Sequence, residues 1–108
     1  MMDLSFLRRQ MAGDEKLVAR FVSIFKAQVP AQVSQLPGLC ENEDWEELSS
    51  AFHSLKTQFN YMLMTDFAEQ MREMEESVDN GEPAFIATRI AEFTAKFGHF
   101  WQNEFPEN

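Results

Sequence analysis

Trp45, Leu48, Phe52, Leu55, Phe59 and Met62 follow one another at spacings of three, four, three, four and three. At 3.6 residues per turn that series keeps every apolar side chain on one helix face, whereas a strand would scatter them over both faces of a sheet. Ile86, Ile90, Phe93, Phe97 and Phe100 repeat the pattern at four, three, four and three. Stripes of this length must be buried against other helices, so they commit the chain to an all-α fold. The remaining core material agrees. There are 11 Phe and 7 Met with few Val and Ile, and long unbranched or aromatic side chains fill a helical core better than a pleated one.

Gly13, Pro37-Gly38, the polar run ENED and NGEP at 80–83 punctuate the chain. Residues 3–11 read as a short opening helix with Leu4, Leu7 and Met11 on one side. Asp14 is a candidate N-cap for a long helix reaching about Leu36, with Leu17, Phe21, Ile24 or Phe25, Val29, Val33 and Leu36 as its buried stripe. Pro30 lies inside it and removes one backbone hydrogen bond, which predicts a kink. Asp44 and Glu47 match a capping box ahead of the next helix. Thr65 is a candidate cap for a fourth segment whose stripe is Phe67, Met71, Met74 and Val78. Gly81 supplies its stop, and Pro83 suits the first turn of the last helix. Four long amphipathic helices with short connections predict an up-down-up-down antiparallel four-helix bundle, with the opening helix as a lid. At 108 residues, 1–108 reads as a single domain and by default a monomer.

Eighteen acidic residues against nine basic give a net charge of −9. A chain so charged lacks the basic face that nucleic acid or an anionic membrane surface requires, and favours a protein or cation as partner. No apolar run approaches the ~20 residues of a spanning helix. The opening MMDLSFLRRQ lacks the basic-then-apolar order of a signal peptide, and Cys40 has no internal partner, so a reducing, cytoplasmic setting is expected. A metal-binding bundle needs Glu-x-x-His pairs, and neither Glu46 nor Glu47 has that spacing to His53; no metal site is expected. No Ser-His-acid constellation of a hydrolase is discernible either.

His53 is one of only two histidines, in the stretch AFHSLKTQFNYM. It stands about 100° round the helix from the core position Phe52, at the edge of the exposed face, with Lys56 and Thr57 one turn further on. A ring nitrogen attacks a phosphoryl group only when unprotonated, and imidazole is the side chain whose ordinary range allows that near neutral pH. Lys56, about 4.5 Å along the axis, is within reach of the negative charge such a group brings. By residue type alone an exposed helical histidine near a lysine is commonplace. Its context is more specific.

Phe52-His53-Ser54-Leu55-Lys56-Thr57 resembles the motif A-H-x-L-K-G of histidine-containing phosphotransfer (HPt) domains, the phosphoryl carriers of bacterial multistep two-component signalling. Leu17 to Leu36, with Phe21 and Pro30, is similar to the long helix that precedes it in that family. Asp44-Trp45 through Leu48 and the closing Met74-Glu75 are similar to its flanking phrases. The resemblance implies that His53 is the phosphoryl acceptor and Lys56 its electrostatic partner, and that Ser49, Ser50, Thr57 and Asn60, with neighbouring apolar edges, form a rim for docking. It implies partners too: response-regulator receiver domains and a hybrid sensor histidine kinase. No cofactor is intrinsic; the Mg²⁺ is supplied by the receiver. The chain would be a carrier rather than an enzyme, and it has no P-loop or glycine-rich nucleotide loop. Two positions depart from the family. Thr57 stands where glycine or another small residue is preferred, and Leu63 where many members have a glycine that turns the helix end. These departures keep open a second reading, a non-phosphorylated module of the same fold that binds receivers or kinases without chemistry.

Overall fold

The computed structural model describes residues 3–105; the ends of the expected 1–108 domain, 1–2 and 106–108, lie outside the described residues. Five helices and no strand occur among them: α1 (Ser5–Gln10), α2 (Glu15–Glu41), α3 (Trp45–Tyr61), α4 (Thr65–Asp79) and α5 (Ile86–Glu104). The four long helices close a ring of neighbours, α2 on α3, α3 on α4, α4 on α5 and α5 back on α2, while α1 lies against α2.

The core follows the apolar spacing. Leu48, Phe52, Leu55, Phe59 and Met62 of the α3 stripe are all buried, and Trp45 is half-buried at its start. Ile86, Ile90, Phe93 and Phe97 are buried on α5, Met71, Met74 and Ala68 on α4, and Leu7 on α1. Phe59 is the hub. Its ring lies 6.3 Å from that of Phe25 on α2, 5.5 Å from Phe67 on α4, and 6.1 and 6.2 Å from Phe93 and Phe97 on α5. Several of these pairs are tilted or edge-on, the arrangement the aromatic quadrupole favours.

Helix α2 departs from the expected reading in two ways. It runs through Pro37 and Gly38 to Glu41 rather than ending near Leu36. Proline already has a helical φ and forfeits one hydrogen bond. Leu39 and Cys40, half-buried against the core, give the extra turn apolar contact in return. Its buried face is also rotated: Val18, Phe25, Val29, Val33 and Leu36 are buried, Phe21 is half-buried, and Leu17 and Ile24 are 45% and 44% exposed. Val18 and Phe25, two turns apart, share the face that α1 and the bundle cover; Leu17 lies 100° away from Val18.

The helix starts correct three further expectations. Asp14 is an N-cap, in extended backbone (ψ 101°), its carboxylate accepting from the backbone N–H of Lys16 and Leu17 at 3.0 and 3.3 Å. Asp44 occupies the same position before α3 but makes no capping bond, so the expected capping box with Glu47 is absent. Its ψ of 69° falls short of the extended region from which a cap side chain reaches back to the first turn. Thr65 is the first helical residue of α4, not its cap, and the residue before it, Met64, has a similar ψ of 66°. Pro83 lies in the turn ahead of α5, its carbonyl accepting from Ile86 N–H at 3.1 Å.

Those short starts follow tight helix ends. After α2, Asp44 N–H donates to Leu39 O and Glu43 N–H to Cys40 O; after α3, Met64 N–H donates to Phe59 O and Leu63 N–H to Asn60 O; after α4, Glu82 N–H donates to Ser77 O and Gly81 N–H to Val78 O. Each is the paired 6→1 and 5→2 pattern that requires a left-handed residue. Gly81 meets the requirement without cost (φ 73°), but Glu43 and Leu63 adopt φ 55° and 54°. The turn after α3 is therefore the one a glycine would make, accomplished by leucine against strain of about 1–2 kcal/mol.

Two outcomes are expected. Phe59→Ala removes the hub ring and is expected to cost about 3–5 kcal/mol in denaturant unfolding; a near-neutral result would show that the ring cluster is not what joins the helices. Leu63→Gly relieves the left-handed strain at a residue already 36% exposed. After glycine's own entropy cost, the gain is on the order of 0.5–1 kcal/mol, read as a Tm rise of a few degrees.

Candidate functional site

The phase of α3 decides where His53 points. With Phe52 and Leu55 fully buried, His53 comes to the edge of the helix and its side chain is 63% exposed, while Lys56, nearer the α4 seam, is 25% exposed. Facing them across the seam is Glu75 of α4, only 15% exposed. Its Oε2 is 3.1 Å from His53 Nδ1, and its Oε1 accepts from Lys56 Nζ at 2.9 Å. One carboxylate thus holds both candidate residues, one per oxygen.

This geometry sets the tautomer. A carboxylate only accepts hydrogen bonds, so the contact is attractive only with the ring hydrogen on Nδ1. In a neutral imidazole the lone pair is then on Nε2. Glu75 is the site residue that reasoning from the α3 motif did not single out; Met74-Glu75 entered only as a phrase of the family resemblance. A signal was present in the spacing: Glu75 follows the buried Met74 by one residue, as His53 follows Phe52, so each stands at the edge of its own stripe.

The expected rim residues are spread out. Ser49 Oγ donates to Asp79 Oδ1 at 2.6 Å, which makes it a second polar tie between α3 and α4, one turn from the His53 tie. Thr57 is exposed, and its hydroxyl donates to the backbone carbonyl of His53 at 3.2 Å, so the side chain is fixed beside the acceptor candidate. Ser50 and Asn60 are exposed, and no side-chain bond ties either of them among the described residues. On the other flank of α3, Gln58 Nε2 donates to Gln32 Oε1 at 2.8 Å and to Ser54 Oγ at 3.2 Å, a polar clasp on α2. The second histidine, His99, has its Nε2 3.3 Å from Asn103 Nδ2, within α5 and apart from this site.

Burial, and then the nearby Glu43 charge, push the Cys40 thiol up, away from the reactive thiolate. Among the described residues no group of three or more His, Cys, Asp or Glu side chains is arranged to hold a metal ion, and no helix is long and apolar enough to cross a membrane. The His53 site is an open edge between two helices, reachable by another macromolecule rather than shaped around a small ligand.

The described residues thus form an all-helical bundle with an exposed imidazole on α3, one ring nitrogen facing a carboxylate of α4 and a lysine one turn away. The Hpt domain family model matches residues 20–100, most of the chain including α3 and α4 whole. The protein belongs to the Hpt domain family. Domains of this family carry phosphoryl groups on histidine in phosphorelays and engage receiver and kinase domains. No curated protein and no solved structure matches the chain.

The Glu75 contact has a direct spectroscopic consequence. In ¹⁵N-resolved spectra of the neutral His53 ring, the proton is expected on Nδ1 and the lone pair on Nε2. Glu75→Ala is expected to release the ring into a mixture of tautomers without unfolding the bundle. A wild-type ring protonated on Nε2 would contradict the arrangement.

Proposed function

We propose that this protein is an active phosphoryl carrier, with His53 as acceptor through Nε2, Lys56 as counter-charge and Glu75 as the positioning residue. The observation that carries the reading is the Nδ1–Glu75 contact, because it orients an exposed ring and, in the neutral imidazole, puts the lone pair on the other nitrogen. In the forward step the Nε2 lone pair attacks the phosphorus of an aspartyl phosphate on a receiver domain. The P–O bond to the aspartate breaks, and the carboxylate leaves with the electron pair. The ring becomes cationic while keeping its Nδ1 hydrogen, and Glu75 opposes that charge at hydrogen-bond distance. No proton has to be removed before attack. Transfer to a second receiver reverses the same bonds.

Lys56 is held by Glu75, 2.9 Å away, and is one turn from His53. Its ammonium is free to turn toward phosphoryl oxygens when they arrive, as a point charge on a flexible stem. The Mg²⁺ that neutralises the aspartyl phosphate belongs to the receiver. Against a binding-only module stands the fact that such a module has no need of an oriented imidazole with an open nitrogen. The up-down-up-down order of the long helices belongs to the same reading. It is supported by pairings that run in opposite senses: Phe21 with Tyr61 and Gln32 with Gln58, Ser49 with Asp79 and Lys56 with Glu75, Phe67 with Phe97 and Glu73 with Arg89. We read 1–108 as one such domain, since the buried residues form one continuous core, and take a cytoplasmic monomer as the working form.

Incubation with a phosphorylated receiver and Mg²⁺ is expected to leave an acid-labile, base-stable phosphate on the protein, absent from a folded His53→Gln variant. Label persisting in that variant removes His53 as the acceptor. Lys56→Ala is expected to slow transfer roughly tenfold, the equivalent of one charge-assisted hydrogen bond of about 1.5 kcal/mol.

A further inference from the structure

Two aromatic side chains at the surface take no part in the ring network. Phe85 is 77% exposed and Trp45 is half-buried, and neither has a ring partner among the described residues. Every other described aromatic residue that is not fully buried has one. Both stand where the turn from α2 to α3 meets the turn from α4 to α5. The other end of α3 is the one marked by α1, whose Phe6 ring lies against Tyr61. Between the two turns runs a groove of about 690 Å³. Trp45, Cys40, Pro83, Ala84 and Ala87 give it apolar walls, and Glu41, Glu43 and Glu82 stand along it. Phe85 follows Ala84 directly in the chain.

The charge around this groove has one sign. No Lys or Arg occurs from 27 to 55 or from 73 to 88, the two stretches that build this end of the bundle. Residues 41–47 carry five carboxylates and 79–82 carry two. Helices α2 and α4 both end here without a basic residue in the last turn. Glu41, Glu43 and Glu82 are exposed and have no ion pair among the described residues. On the body of the bundle the pattern is different: Glu15, Glu69, Glu75 and Glu76 each face a Lys or Arg. Carboxylates gathered without a counter-charge make a local negative field, which draws in a cation more strongly than the rest of the surface does. The described carboxylates are not grouped to hold a metal ion, so the field suits a larger, spread-out cation.

We propose that this groove is a docking site for a basic segment of a partner protein, whose arginine side chains lie on Trp45 and Phe85 among the carboxylates of Glu41, Glu43 and Glu82. Charge complementarity identifies the occupant. A guanidinium stacks on an aromatic face and bonds a carboxylate through two N–H donors at once, so it uses both features of the groove, whereas an ammonium acts as a point charge. Arginine and tryptophan are also the residue types on which interface affinity most often rests. Nucleic acid, an acidic protein surface and a second copy of this chain, itself at −9, are all repelled by the same carboxylates. Trp45 lies eight residues before His53, about 12 Å along α3. A segment of a few residues seated at Trp45 leaves the histidine open, and the inference does not depend on the role of His53.

The test titrates a short peptide of alternating arginine and leucine into the ¹⁵N-labelled protein at low salt. Binding is expected to move the Trp45 indole N–H signal and the backbone signals of the two turns, and to weaken as salt is added. Glu41→Gln/Glu43→Gln/Glu82→Gln is expected to weaken it roughly tenfold or more. Asp66→Asn/Glu73→Gln/Glu92→Gln, an equal loss of charge away from the groove, is expected to change it by less than about twofold. Phe85→Ser, at an exposed residue, is expected to weaken it several-fold. The same peptide with citrulline for arginine, neutral and of the same shape, is expected not to bind. Equal losses in the two triple variants reduce the attraction to net charge and overturn the proposal. So do an arginine peptide that fails to bind or moves only signals elsewhere, and a citrulline peptide that binds as well. Wild-type affinity in Phe85→Ser overturns the part given to its ring.

Discussion

Burial of the α3 stripe governs this structure. Leu48, Phe52, Leu55, Phe59 and Met62 occupy one face of a single helix, and the Phe59 ring meets aromatic partners from α2, α4 and α5. Rotating α3 by one residue would withdraw those rings from the core and cost several buried side chains at about 1.5–3 kcal/mol each. The phase of the helix is thereby fixed, and with it the direction of every residue that follows a core position by one. The exposure of His53 is a by-product of the burial of Phe52.

The same constraint on α4 turns Glu75 outward beside Met74, and the packing of α3 on α4 brings the two edges together. What results is a small polar assembly at the margin of an apolar seam. Glu75 faces a lysine and an imidazole with one oxygen each, so its charge is compensated where it is largely covered. Ser49 and Asp79 repeat the tie a turn away. A site built this way is held by two helices rather than by loops, so its geometry is set by the packing of α3 on α4.

Most of the helical pattern was legible in the residue spacing, because a 3–4 repeat of large apolar residues has one low-energy solution. The parts that were not legible share a cause: they depend on which neighbour covers a residue. Leu17 and Val18 are both apolar and adjacent, and only the position of α1 and the bundle decides which is buried. Asp44 and Thr65 have the right chemistry for caps, but the tight turns before them leave a backbone from which neither side chain caps its helix. Leu63 resists the left-handed conformation by itself and adopts it because the bonds to Asn60 and Phe59 and the burial of Met62 demand the turn.

By itself, then, the sequence determined the helical class, the buried faces of α3 and α5, the edge position of His53 and Lys56, and the motif that ties them to a family. All of these are written in the periodicity of one helix at a time. Only the tertiary structure decided that Glu75 faces the histidine and that Lys56 is paired rather than free. Those are relations between residues about twenty or more positions apart, and no local spacing encodes which edges meet when the helices pack.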